Sequence, residues 1–256
     1  MTDNRRSFPR RVAGRLLPES VQYALYRRVV RLWPPRFIVR LMVPRRLVPI
    51  RREFASDRGE PLDRYYIEEF LRRHSGASEY TPGSIQGRVL EIGEDTYTRR
   101  FGLGVDRVDI LDASPENPTA TFVADLADGT NLPSDTYDCV ICLQTLLVIY
   151  DVKAAIKTIH RILKPGGTVL VTVPGISQIC RPDIDSWGDY WRFTTLSARR
   201  LFEEVFDADK VFVESYGNVL TASAFLYGLV IEDMTKQELE LHDDNFQVII
   251  GIKAVK

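Results

Sequence analysis

The stretch VLEIGEDTYTRRFG, residues 89–102, decides how the rest of the chain is read. Val89, Leu90 and Ile92 form an apolar run interrupted only by Glu91, the pattern of a strand covered on both faces. Gly93 ends the run, because glycine turns the backbone left-handed without steric cost. Asp95 follows where a helix N-cap belongs, and aspartate both caps well and tolerates left-handed angles, so a helix is expected to start near Thr96.

Working outward from that strand, short β-rich runs alternate with helical patterns: RVLEIG, RVDILDA, ATFVADL, YDCVICL, a helix from about Val152 to Leu163, GTVLVTVP, a helix from Leu196 to Phe206, KVFVESY and finally FQVIIGIKAV. Alternation of this kind predicts a parallel sheet with helices on both faces. Ligands in such sheets bind beyond the carboxyl ends of the strands, where the winding reverses. The acid that closes the second strand, Asp112, stands 19 residues after Gly93. That is close to the spacing of about 20 at which a carboxylate in a nucleotide-binding βαβ unit meets a ribose. Before the first strand, residues 62–74 (LDRYYIEEFLRRH) have helical spacing, and Ser75 to Gly87 reads as a linker.

The formal net charge of −1 hides a segregation: residues 1–52 hold 14 Arg and no Lys against Asp3 and Glu19, a balance of +12, which leaves −13 on the remainder. Val21, Leu25, Val29 and Leu32 recur at helical spacing with Arg27, Arg28 and Arg31 off that stripe, a basic amphipathic helix ended by Pro34 and Pro35. Residues 1–56 are therefore expected to be a basic helical extension and residues 57–256 the main domain. An extension so charged suits an anionic membrane surface or the acidic body of the protein itself, including that of a homodimer partner. Three cysteines make no disulfide framework. Cys139 and Cys142, three apart in a strand, point to opposite faces and read as core residues, which fits a reducing, cytoplasmic location. No secretory or matrix-targeting pattern is expected at the Arg-rich start, and the longest uncharged run, Ser215 to Ile231, is expected to be a covering helix rather than a membrane span.

The order VLEIG, Asp112, then Asp125 and Leu126 in ADL, then YDCVICLQTL and HRILKPGGTVLVTVP resembles the class I S-adenosylmethionine-dependent methyltransferases, especially the type 11 group. The resemblance implies a Rossmann-like α/β sheet, parallel except for an antiparallel last strand. It also implies S-adenosyl-L-methionine as cofactor, with Glu91 and Gly93 at its methionine end, Asp112 and Ala113 at the ribose, Asp125 and Leu126 framing the adenine, and Gln144 at the end of the fourth strand. The family loop reads E-x-G-x-G-x-G, whereas Asp95 and Tyr97 stand at its second and third glycine positions. A turn remains possible there, with Asp95 and Thr96 near the cofactor and Tyr97 crowding the loop. ASDRGEPLDRYYIEEFL, SWGDYWRFTTLSARRLFEEVF and YGNVL extend the likeness to about residues 57–256, and to a bacterial subgroup associated with glycan or specialised-metabolite biosynthesis. Arg64, Tyr65 and Tyr66 either close over the methionine end or pack their helix onto the sheet.

Methyl transfer needs positioning and, for a hydroxyl acceptor, a proton acceptor, but no metal. His74 reads as solvated and His160 as structural. His242 precedes an antiparallel last strand, which puts it at the active-site end, with Asp243 or Asp244 able to orient it. It is the first candidate base and Asp189 the second. Asp183, Asp185, Trp187, Tyr190, Trp191 and Tyr216 are candidate acceptor contacts, and the alternative for WGDYWRFT is an aromatic cover with Arg192 paired to an acid. LQTL after the fourth strand is unlike the NPPY motif of nucleic-acid amino-methylating enzymes, so no nucleic-acid substrate is expected. The favoured function is methyl transfer to a hydroxyl of a small molecule, a sugar or natural product. Carbon methylation of a prenyl or polyketide acceptor, and a noncatalytic scaffold, are the alternatives.

Overall fold

β1 (Gly87–Ile92) is an interior strand of a seven-stranded sheet, flanked by β2 (Val105–Asp112) and β4 (Tyr137–Leu143). β3 (Phe122–Val123), β5 (Leu163–Pro174), β6 (Val211–Tyr216) and β7 (Ile249–Val255) complete the order β3-β2-β1-β4-β5-β7-β6. Pairing is parallel from β3 to β5, and β7 runs antiparallel between β5 and β6. The structure, a computed structural model, describes residues 46–75 and 83–256. The predicted basic helix of residues 20–33 and most of the predicted linker lie outside the described residues.

The winding reverses between β1 and β4, so the carboxyl ends of these two strands open a crevice. The helices are α1 (Leu62–Ser75), α2 (Thr96–Phe101), α3 (Val152–Ile162), α4 (Arg181–Ser186), α5 (Thr195–Glu203), α6 (Val219–Tyr227) and α7 (Lys236–Glu240). One sheet face packs Val140 and Cys142 against Ile156, Ile159 and Phe202 of α3 and α5. The other packs Cys139 and Ile141 against Ile67, Phe70 and Phe225 of α1 and α6. The two cysteines thus serve opposite cores, as a period of two requires.

α1 lies close over the sheet because Gly251 of β7 has no side chain: a Cβ there would stand 2.3 Å from the Phe70 ring. This contact sets the height at which the first turn of α1, Asp63 and Arg64, meets the strand ends. α3 is capped by the Asp151 carboxylate, which accepts from Ala154 N at 3.0 Å, and α5 by a reciprocal Thr194–Ser197 box. The run Ser215 to Ile231 holds α6, capped by Asn218 and ended by Gly228 in a left-handed conformation.

Two boundaries differ from the sequence reading. The strand expected over ATFVADL shrinks to Phe122–Val123, because it is the sheet edge and pairs β2 only at Leu111 and Asp112 before Asp125 turns the chain. The chain divides after Val48 rather than at residue 56, into Met1–Val48 and Pro49–Lys256. Ile50 N donates to Tyr227 O at 2.7 Å, Phe54 stacks on Phe225 at 5.4 Å, and Arg58 pairs with Asp233, so this segment belongs to the main body. Among the described residues no helix is long and apolar enough to cross a membrane.

Candidate active site

The turn after β1 needs only one glycine. Gly93 has φ +83°, its N–H donates to Leu111 O at 2.9 Å, and a Cβ at this position would meet nothing within 4 Å. The backbone here borders open space. Asp95, at the second glycine position of the family loop, has φ −106°, and Tyr97 already lies within α2, so neither position asks for a left-handed residue.

Asp95 sits at the N-cap of α2 without a capping bond, its carboxylate held by Arg99 Nε at 2.7 Å. Glu91 caps the helix instead from inside β1, accepting from Tyr97 N (3.0 Å), Thr98 N (2.8 Å) and Thr98 Oγ1 (2.6 Å). Its burial pushes the carboxyl above the ordinary range, against the pull of those bonds. The Tyr97 hydroxyl accepts from Arg64 Nη1 at 2.9 Å and its ring stacks on Phe101. Glu91, Gly93, Tyr97 and Arg64 line a cavity of about 330 Å³ at the end of β1.

Next to it, beyond β2 and β3, is a larger cavity of about 970 Å³ with Ile92 in the wall shared by the two. Asp112 faces it with one bond on each oxygen, from Ser114 N at 2.8 Å and from Asn117 Nδ2 at 2.7 Å. A carboxylate offers about four acceptor positions, so two remain for a ligand diol. Asn117 Nδ2 also donates to Gly93 O at 2.8 Å and ties the ends of β1 and β2 together. Sequence reasoning missed this residue, and nothing in ASPENP singles it out. Ala113, Asp125 and buried Leu126 also line the cavity, as do Trp187, Tyr150 and Tyr190, the last two meeting ring edge to face at 5.3 Å.

On the other side a third cavity, about 360 Å³, lies beyond β4 and β5 and shares Arg64 with the first. Gln144 enters it with φ +49°, a strained angle for a side-chain-bearing residue, held by its N–H to Thr172 O at 2.8 Å and Nε2 to Thr172 Oγ1 at 3.2 Å. Asp189 reaches the same wall but is already engaged, accepting from Cys180 N and from Arg192 Nη2, each at 3.0 Å. The Arg192 guanidinium holds its carboxyl below the usual carboxylate range, which makes it a weak proton acceptor near neutrality.

The three cavities follow one another along the strand ends, and they gather Glu91, Gly93, Asp112, Ala113, Asp125, Leu126, Gln144, Trp187, Asp189 and Tyr190. They do not gather His242, Tyr216 or Tyr65, which line a separate cavity of about 640 Å³ at the β6 edge. His242 is at the expected end of the sheet, paired with Asp244 Oδ1 at 2.8 Å. However, β6 lies three strand spacings from β4 in this strand order, roughly 14 Å. Asp95 and Thr96 begin α2 outside the cavity walls, and Asp185 is exposed on α4. Trp191 stacks on Tyr150, its Nε1 donating to Ile149 O at 3.0 Å. His74 pairs with Glu214 Oε1 at 2.6 Å, and His160 lies edge-on to Phe206, its pKa lowered chiefly by burial.

Residues 60–210 match a protein-family model described as a methyltransferase domain. No curated protein matches the chain. Among solved structures, an S-adenosylmethionine-dependent methyltransferase from Archaeoglobus fulgidus is 13% identical over 76% of this chain and 93% of its own, with a TM-score of 0.47. Another from Mesorhizobium loti is 15% identical over 76% and 98%, with a TM-score of 0.48. Phosphoethanolamine N-methyltransferase 2 of Haemonchus contortus, in complex with S-adenosyl-L-methionine, is 17% identical over 75% of this chain and 52% of its own, at 0.49. At such identities and TM-scores the family model alone identifies the chain.

Proposed function

The chain belongs to the methyltransferase-domain family as an S-adenosylmethionine-dependent enzyme, and from that premise we propose that it methylates a hydroxyl of a small molecule, a sugar or natural product. The observation that supports this reading is the row of three cavities, a large one at Asp112, a small one at Gly93 and a third at Gln144. In this reading Asp112 accepts the ribose hydroxyls, Leu126 packs on the adenine and Arg64 meets the methionine carboxylate. Gly93 fits the same assignment, since the space at its missing side chain is open. Bound S-adenosylmethionine supplies an electrophilic methyl group, and the protein's part is to align the acceptor and exclude water. The third cavity then holds the acceptor. The proposal includes membership of the bacterial subgroup linked to glycan or specialised-metabolite biosynthesis, on the likeness of residues 57–256.

Titration calorimetry tests this reading. S-adenosylmethionine and its demethylated product are expected to bind the full chain within about the 1 µM–1 mM range typical of enzyme substrates. No heat and no thermal shift at millimolar ligand would sink it.

We also propose that the basic residues 1–52 recruit the enzyme to an anionic membrane surface. Each arginine near such a surface contributes about 1 kcal/mol, so a fraction of the 14 suffices. Leu47 and Val48, beside Arg46 at the junction, are exposed and apolar. The full chain is expected to float with phosphatidylserine vesicles and a chain beginning at Pro49 to stay behind. Equal failure to float, with dimerisation of the full chain only, would assign the charge to a second copy.

A further inference from the structure

Among the described residues three buried side-chain atoms have no hydrogen-bond partner, and two of them, Asp63 Oδ1 and Gln178 Nε2, belong to residues that line the same cavity beyond β4 and β5. The third, the Tyr137 hydroxyl, belongs to the opposite end of β4. Buried polar atoms are rarely left unpaired, because they have lost water and gained nothing in exchange. An unmet acceptor and an unmet donor in one cavity define the ligand that would satisfy both.

Both groups are held in place. Asp63 is in the first turn of α1, whose height is fixed where Phe70 meets Gly251, and its neighbour Arg64 reaches the adjoining cavity at Gly93. Gln178 is anchored at its backbone carbonyl, which accepts from Arg192 Nη2 at 2.6 Å, and Arg192 is itself fixed by Asp189. The remaining wall is partly apolar, with Phe54, Leu147 and Phe225.

We propose that this cavity binds a polyol, one hydroxyl donating to Asp63 Oδ1 and a neighbouring oxygen accepting from Gln178 Nε2, and that Asp63 receives the proton of the hydroxyl that is methylated. The proposal rests on the methyl-transfer reading above and names its acceptor class. An ammonium group would satisfy Asp63 but has no lone pair for Gln178, and the reacting carbon of a carbon acceptor has no proton to give Asp63 in a hydrogen bond. A sugar-like ring presents paired hydroxyls at its edge and C–H groups to the apolar wall. The hydroxyl oxygen forms its bond to the methyl carbon, the carbon–sulfur electron pair stays on sulfur, and the proton passes to Asp63, leaving a methyl ether, a neutral sulfide and a carboxylic acid. Burial pushes the Asp63 carboxyl up, with Glu60 acting in the same direction and the Arg64 charge and the backbone amides of Arg64 and Asp63 against it, while the Asp189–Arg192 pair lines the same cavity. A carboxylate raised in this way is a better proton acceptor near neutral pH.

The first test is independent of any acceptor. Folding raises the Asp63 pKa, so its ionisation penalises the folded state only as the pH rises from the unfolded value, near about 3.9, through the folded one. Asp63→Asn in the full chain is expected to raise Tm by about 2–4 °C at pH 7.5, with the difference closing toward pH 4. A lower Tm at pH 7.5 marks a paired structural carboxylate and overturns the proposal. The second test measures labelled methyl transfer to methyl glycosides, inositol and glycerol, with ethanolamine and dithiothreitol as contrasting probes. Wild type is expected to methylate a polyol. Asp63→Asn should lose about 10²–10⁴-fold in kcat with cofactor affinity unchanged, and Gln178→Leu should raise KM for the polyol. Wild type that binds S-adenosylmethionine but methylates only the amine, only the thiol or no probe overturns the polyol assignment and leaves the methyl-transfer reading standing. Full kcat in Asp63→Asn overturns the proton-accepting role. Absence of calorimetric heat with S-adenosylmethionine removes the methyl-transfer reading and the proton role with it.

Discussion

Replacing Asp112 with alanine is expected to weaken S-adenosylmethionine binding by about 10²-fold or more, the largest loss from any single change in the site. Each oxygen of Asp112 already accepts one protein donor, which fixes the carboxylate plane and leaves its remaining lone pairs toward the large cavity. Two hydrogen bonds from a ribose diol to a charged acceptor contribute about 1.5–3 kcal/mol each. At about 1.4 kcal/mol per decade, losing both costs two decades of affinity even at the low end. The demethylated product should suffer equally, because it carries the same ribose. Asp112→Asn keeps one carbonyl oxygen and the shape, so its loss should be intermediate. Folding should change little, since Asn117 Nδ2 keeps Gly93 O as a partner. Calorimetry of the three proteins measures the series, and unchanged affinity in Asp112→Ala would move the nucleoside out of this cavity.

Asp112 was legible in the sequence because its position depends on local order alone: a strand, a glycine turn, a helix and a second strand of ordinary length. The continuous apolar run of β4 and the opposite facing of Cys139 and Cys142 follow from the same one-dimensional periodicity. His242 shows where that information ends. An antiparallel β7 correctly puts the residue at the carboxyl ends of the parallel strands, but its lateral position depends on β7 inserting between β5 and β6. Tyr65 and Tyr66 follow Arg64 immediately, yet successive helical residues are about 100° apart, so Arg64 reaches the Gly93 cavity while the two tyrosines face the β6 edge. Asp63 and Gln178 were illegible for another reason. Their significance lies in what does not approach them, and 115 positions separate two residues that share a cavity.

Glu91→Ala is expected to lower Tm by about 6–12 °C, whereas Asp95→Ala should lower it by no more than about 2 °C. The contrast reverses what the helix-capping pattern in GEDTY suggests. Glu91 is 2% exposed and accepts three bonds from the first turn of α2, while Asp95 caps nothing and holds only the exposed Arg99. Removing the Glu91 carboxylate leaves two amides and a hydroxyl unpaired in the interior, at about 1–3 kcal/mol each. Even the low end, about 3 kcal/mol in total, corresponds to that Tm range in a domain of this size, at roughly 2–4 °C per kcal/mol. An exposed i,i+4 ion pair contributes about 0.3–0.5 kcal/mol. The pH dependence separates this role from that of an ordinary salt-bridged acid. Burial raises the Glu91 carboxyl above its unfolded value, so its contribution is fully present below the unfolded pKa and declines as the pH rises through the folded one. The Tm gap between wild type and Glu91→Ala should therefore hold or widen as the pH falls, where a paired carboxylate would lose its effect. Thermal melts from pH 4 to pH 8, read beside cofactor affinity, decide the matter. A small Tm change with affinity lost would mean that Glu91 acts on the methionine end directly. A large Tm change would show that it holds α2 in place, so that the single glycine at position 93 can serve where the family pattern uses three.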